Sequence, residues 1–197
     1  MPELKICGVT SASFALEAVR RGASYIGFIF AERSPRRIGV AVAHEIASRT
    51  KGARFVGVFV DASLDEIEAT ARSVPLDVVQ LHGKYGADEV LAIKSLGCEV
   101  WRLHDGDFAG EDATLLDGRD GGRSGGTGRL ADWSLVAELK REGRRVVLAG
   151  GISAANIASA AATGADIIDV NSTLETAPGV KSVAKLDELI KSFKTNN

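Results

Sequence analysis

The chain has 197 residues, 45% of them hydrophobic, and 24 Lys+Arg against 26 Asp+Glu give a net charge of −2. That length suits one domain with a full core, and the composition excludes a disordered or collagen-like chain and a broad basic field for nucleic acid. The longest apolar runs, such as 25–31 and 146–149, fall far below the roughly 18 residues of a membrane-spanning helix.

In chain order, short runs rich in Val, Ile, Leu and Phe end in Gly, His or Asp. They predict strands at 4–9, 25–30, 54–60, 78–82, 99–104, 114–117, 146–150 and 166–170. Between most of them, apolar residues at spacings of three and four predict helices around 14–19, 41–46, 64–71, 90–96, 135–139, 157–161 and 186–193. Only the fifth connection, 105–113, is too short for a regular helix. Continuous apolar strands alternating with amphipathic helices imply a parallel sheet covered by helices. Eight such units predict a single (β/α)8 TIM barrel over residues 1–197, smaller than the roughly 250 residues usual for that fold. An open doubly wound sheet is the alternative. The stretch GRDGGRSGGTG at 118–128 reads as a mobile loop rather than a linker, because neither flank has enough strands to close alone.

The opening residues 1–7 lack the apolar core and cleavage site of a signal peptide, and Cys7 and Cys98 make no disulfide framework. A cytoplasmic setting with reduced thiols is therefore expected. His44, His82 and His104 show no zinc-ligand spacing, so no metal is expected.

In a barrel, the loops after the C-terminal strand ends share one mouth, where the chemistry belongs. Those ends carry Cys7, the segment Ser34-Pro35-Arg36, Asp61, His82, His104, Asp117, Gly150-Gly151, Asp169 and Asn171-Ser172. Gly150-Gly151 before a predicted helix would offer backbone N–H groups to an anion, and Asn171 and Ser172 in loop eight add donors. Gly126, Thr127 and Gly128 form a third stretch where backbone can approach phosphate oxygens. Each glycine pair has a plainer reading as a tight turn. Cys7 fits a general base once ionised, or the commoner role of a strand-end cysteine as a small buried hydrophobe. Asp117 fits a general acid held protonated by an apolar wall, or a turn-starting Asp before Gly118. Arg36, aimed by Pro35, fits a carboxylate fork or an exposed salt bridge.

Lys5-Ile6-Cys7-Gly8-Val9-Thr10, Gly27-Phe28-Ile29-Phe30 with Ser34-Pro35-Arg36, Gln80-Leu81-His82-Gly83, Leu115-Leu116-Asp117, Gly125-Gly126-Thr127-Gly128, Leu148-Ala149-Gly150-Gly151-Ile152, and Asp169-Val170 with Pro178-Gly179-Val180-Lys181 resemble phosphoribosylanthranilate isomerases. The resemblance spans the whole chain. It implies an Amadori rearrangement of N-(5-phosphoribosyl)anthranilate to 1-(2-carboxyphenylamino)-1-deoxyribulose 5-phosphate in tryptophan biosynthesis. Asp117 matches the acid that opens the furanose ring, and Cys7 the base that removes the C2 proton. Arg36 matches the residue that contacts the anthranilate carboxylate, and His82 and Asp169 match further substrate-binding positions. Phosphate would sit on loops six to eight, at Gly126, Thr127, Gly128, Gly150, Gly151, Asn171 and Ser172. Such chemistry needs one acid, one base and a clamp on each end of the substrate, with no cofactor. It also needs a carboxyl held proton-rich and a thiol held proton-poor. The expected partner is the phosphorylated small-molecule substrate, with no nucleic acid or membrane. A monomer is expected, with a dimer as the alternative.

The chain departs from the family at Asn171 and at Thr173, where the family has Gly, so either loop eight approaches phosphate differently or the Thr173 hydroxyl binds it. Gly118 stands where Thr often follows the acid. Two other readings share the fold: a sister ribose-phosphate barrel enzyme, and a non-catalytic barrel that binds a phosphorylated ligand.

Overall fold

The computed structural model describes residues 1–118 and 132–194. Eight strands pair in chain order and close: β1 (Glu3–Ile6), β2 (Tyr25–Ile29), β3 (Arg54–Val60), β4 (Val78–His82), β5 (Glu99–Leu103), β6 (Ala113–Leu116), β7 (Val146–Leu148) and β8 (Ile167–Val170). β8 shuts the ring in parallel against β1, with Leu4 opposite Ile168 and Ile6 opposite Val170. The fold is the expected TIM barrel; an open sheet would leave β1 and β8 unpaired. β1 stops short of the predicted residue 9 because Gly8, at φ +67, turns the chain out of the extended region.

Helices α1 (Ala12–Arg20), α2 (Val40–Arg49), α3 (Leu64–Ser73), α4 (Ala87–Lys94), α5 (Ser134–Arg141), α6 (Ile157–Ala161) and α7 (Val183–Lys194) complete the units. Their starts are set locally. The Ser11 hydroxyl accepts from the Phe14 N–H ahead of α1, and Ser63 and Glu66 form a reciprocal capping box ahead of α3. The connection from β5 to β6 carries no helix, as its length requires. A charged cluster fills that flank instead. Glu111, almost fully buried, accepts from the Ala109 N–H at 2.9 Å and from the Thr114 hydroxyl at 3.2 Å, with the Arg102 guanidinium 3.6 Å away.

Strand side chains alternate between two cores, as a pleat of period two dictates. Tyr25, Ile29, Val56, Val58, Trp101, Leu115 and Val147 cluster inside the barrel. Ile26, Phe28, Leu81 and Leu148 face outward and pack against helix residues such as Phe14, Ile46, Ile67 and Leu186. The N-terminal end of the barrel is closed by a polar network: Arg145 bridges Glu3, Glu99 and the Tyr25 hydroxyl at 2.8–3.1 Å, and Arg54 joins Glu99 at 2.8 Å.

One element was not expected. After β8, a 3-10 turn (Ser172–Leu174) leads into an antiparallel hairpin, β9 (Glu175–Ala177) and β10 (Val180–Lys181). Gly179 makes its turn at φ +80, and the Thr10 hydroxyl donates to the Gly179 carbonyl at 2.9 Å, pinning the hairpin across the loop after β1. The predicted loop at 118–128 lies, beyond Gly118, outside the described residues, and so do Gly126, Thr127 and Gly128. Among the described residues no helix is long and apolar enough to cross a membrane.

Candidate active site

The C-terminal strand ends open into one cavity of about 920 Å³, walled among others by Cys7, Arg36, His82, Asp117, Gly150, Gly151, Asp169, Asn171 and Ser172. Of the polar groups at the strand ends within the described segments, all but His104 therefore border the same space. The pleat explains the grouping: Lys5 and Cys7, Gln80 and His82, and Asp169 and Asn171 are spaced by two and share the inward face of their strands.

Cys7 is 4% exposed, and a Cβ on Gly27 of the neighbouring strand would lie 2.9 Å from its Sγ and 3.3 Å from Lys5 Cε. Glycine at 27 thus makes room for both side chains. Lys5, fully buried, donates from Nζ to Asp169 Oδ2 at 2.6 Å, and its charge acts on the Cys7 thiol. Burial pushes the thiol up, Lys5 pulls it back, Asp169 adds to the rise and Lys181 opposes it, with a net shift upward. The expectation of a thiol held proton-poor is thereby corrected: in the free protein the loss of hydration outweighs the two ammonium groups. Burial is the largest single influence on the Lys5 ammonium and works against it, but Asp169 and Cys7 together raise it above its ordinary value.

Asp117 follows β6, and its carboxyl reaches the next strand's loop through Gly150. That glycine has φ +85, and a Cβ on it would strike the Gly118 backbone nitrogen and lie 3.0 Å from Asp117 Oδ1. Gly150 is thus needed to seat the carboxyl. The expected helix N-terminus at Gly150-Gly151 does not form there. α6 begins only at Ile157, and the Ser153 N–H is taken by Asn156 Oδ1 at 2.8 Å, because residues 151–156 run through turns first. The turn that starts directly after Asn171 is the 3-10 segment in loop eight. Thr173 donates its hydroxyl to the Ile152 carbonyl at 2.5 Å, so its single proton ties loops seven and eight together and is not spare for a phosphate.

Arg36 is not an exposed salt bridge. Its guanidinium grips Glu175 through Nε–Oε1 and Nη2–Oε2, both 2.8 Å, with the Glu175 side chain only 4% exposed. Lys181 Nζ donates to Glu175 Oε1 at 2.8 Å and to the Asn171 carbonyl and Oδ1 at 2.9 and 2.8 Å. Burial alone would lift the Glu175 carboxyl, but Arg36 and Lys181 hold it below the usual carboxylate range. Gln80 Nε2 lies 2.8 Å from His82 Nε2. Two buried acceptors on the cavity wall, Asp169 Oδ1 and Gln80 Oε1, have no hydrogen-bond partner among the described residues, where buried polar atoms normally have one. A ligand carrying hydroxyl groups would satisfy both.

Lys5, Gln80, Glu175 and Lys181 carry no role in the sequence reading. For Lys5 and Gln80 a signal existed, since each sits two positions before a candidate residue on an inward-facing strand. For Glu175, in a hairpin that periodicity does not reveal, there was none.

Fold and site together define a class, a (β/α)8-barrel enzyme whose titratable side chains line one C-terminal mouth. The model of the N-(5'phosphoribosyl)anthranilate (PRA) isomerase family matches residues 4–192. An N-(5'-phosphoribosyl)anthranilate isomerase of Rhizobium johnstonii is 38% identical over 213 residues, covering 100% of this chain and 96% of that protein. The crystal structure of phosphoribosyl anthranilate isomerase from Thermus thermophilus superposes with a TM-score of 0.89 at 32% identity, covering 99% of this chain and 100% of that one. A phosphoribosyl anthranilate isomerase in complex with reduced 1-(o-carboxyphenylamino)-1-deoxyribulose 5-phosphate superposes with a TM-score of 0.83 at 29% identity, covering 98% and 99%. The chain belongs to the phosphoribosylanthranilate isomerase family.

Proposed function

We propose that the chain converts N-(5-phosphoribosyl)anthranilate into 1-(2-carboxyphenylamino)-1-deoxyribulose 5-phosphate, in tryptophan biosynthesis in the cytoplasm, with Asp117 as acid and Cys7 as base. The observation that carries these roles is that a thiol and a carboxyl from opposite parts of the chain border one cavity, each beside a glycine that clears its place.

Asp117 gives its proton to the furanose ring oxygen, the C1–O bond breaks, and the nitrogen lone pair forms an iminium. Cys7, as thiolate, takes the C2 proton, and the released electron pair closes the enolamine and neutralises the nitrogen. A proton then enters at C1 as the 2-hydroxyl proton leaves, giving the ketone. Only protons move, so the steps as written call for no hydride acceptor or metal. The upward-shifted thiol fits this order of events, because the iminium is a new positive charge beside it and favours the thiolate. Asp169 Oδ1 and Gln80 Oε1 accept ribose hydroxyls, with His82 beside Gln80. Arg36 holds the anthranilate carboxylate, and Gly150, Gly151, Asn171 and Ser172 surround the phosphate.

Fluorescence-monitored disappearance of phosphoribosylanthranilate tests the reading. Cys7→Ser and Asp117→Asn should each lower kcat by at least about 10²–10⁴-fold with the fold retained. Near-normal turnover by Cys7→Ser would remove the thiol base. Tight binding of the reduced product with no conversion by the unmodified chain would favour a binding barrel instead.

A further inference from the structure

Glu175 is buried, charged and part of no catalytic step written above. It joins Arg36 in the loop after β2 to Lys181 in β10, and through Lys181 to Asn171 after β8. A guanidinium carries five N–H donors along two usable edges. Glu175 occupies the Nε/Nη2 edge bidentately, which leaves the Nη1/Nη2 edge with no protein partner among the described residues, and Arg36 borders the cavity. The ammonium of Lys181 spends its three protons on Glu175 and on the two oxygens of Asn171.

The charges then decide what the cluster does. Arg36 and Glu175 alone would form a neutral pair with little attraction for an anion. Lys181 cancels the charge of Glu175, and the triad keeps one net positive charge, presented on the open edge of Arg36. Burial of Glu175 and Lys181, 4% and 1% exposed at the side chain, keeps water from relaxing this arrangement. Gly8 makes it sterically feasible: a Cβ there would lie 2.7 Å from Asn171 Oδ1 and 3.1 Å from Arg36 Cδ, so only glycine lets the arginine stem and the Asn171 amide meet beside the end of β1.

We propose that Glu175, with its charge cancelled by Lys181, is a positioning residue that fixes the Arg36 guanidinium so that its free edge receives the aromatic carboxylate of the substrate, and thereby sets selectivity for carboxylated ligands. This rests on the reading of Arg36 as the carboxylate contact. It also ties the two ends of the substrate site, since the same Lys181 that serves Glu175 fixes Asn171 in loop eight.

The test compares two ligands by calorimetry on the full chain: the reduced product, and its phenylamino counterpart lacking the ring carboxylate. Glu175→Gln should weaken the carboxylated ligand about 10- to 100-fold and leave the other within about twofold. In turnover it should raise KM far more than it lowers kcat. On an Arg36→Ala background the same change should add no further loss. Glu175→Asp, which keeps the charge but shortens the reach, serves if the Gln variant fails to fold, and should fall between the two in carboxylate selectivity. Equal weakening of both ligands would make Glu175 a structural tie only and overturn the proposal. Tighter binding of the carboxylated ligand by Glu175→Gln would make Glu175 its competitor, with the same result. If the unmodified chain binds both ligands equally well, the reading of Arg36 fails first and the proposal with it.

Discussion

At Cys7, dehydration and two ammonium groups act on one thiol with opposite sign. Dehydration is the larger, so the thiol titrates above its usual range of about 8.5. A raised acid constant means that the thiolate fraction is small at neutrality and grows as the pH rises. kcat/KM, which reports the free enzyme, should therefore climb with pH through and beyond about 8.5. Lys5→Met removes the strongest opposing charge and should move that limb to higher pH, with kcat depressed at neutral pH. A pH profile of kcat/KM for the two proteins checks both statements, and a limb left in place by Lys5→Met would show that Lys5 serves only Asp169.

Two elements show how the barrel copes where a regular helix is missing or a loop must be held. Between β5 and β6, Glu111 lies beside Arg102 and accepts from Thr114 and Ala109, so a buried charged cluster covers the strands where a helix would otherwise lie. Without Glu111, Arg102 keeps Asp105 and the Asp107 carbonyl, both at 2.6 Å, but the Ala109 N–H and the Thr114 hydroxyl lose their acceptor. Glu111→Ala should lower the unfolding free energy by about 1–3 kcal/mol, read from the urea midpoint at unchanged slope. After β8, the hairpin of β9 and β10 is held by Thr10, Arg36 and Lys181 rather than by its own short ladder. Its conformation therefore depends on loops one and two, which explains why the residues of loop eight give no local signal of it.

On the scale of the whole molecule the barrel separates its tasks by end. The C-terminal mouth gathers Cys7, Asp117 and the polar acceptors, whereas the N-terminal end is sealed by Arg145, Glu3, Glu99, Tyr25 and Arg54, with the Arg145 guanidinium 5.9 Å from the Trp101 ring centroid. Arg145→Met should lower Tm by about 2–6 °C, as a part-exposed network of this kind is worth one or two kcal/mol, while kcat/KM stays within about twofold. A large loss of turnover at unchanged Tm would mean that the two ends are not independent. The sequence by itself determined the repeating units, the order of strands and helices, and which strand ends carry polar groups. These follow from periodicities that repeat within a few residues and from the rule that places barrel chemistry at the C-terminal ends. Only the tertiary structure decided which of those groups meet: Arg36 and Glu175 lie 139 positions apart, and Lys5 and Asp169 lie 164 apart. Closing β8 on β1 creates those contacts and the burial that shifts Cys7, and neither has a counterpart in any local stretch of the chain.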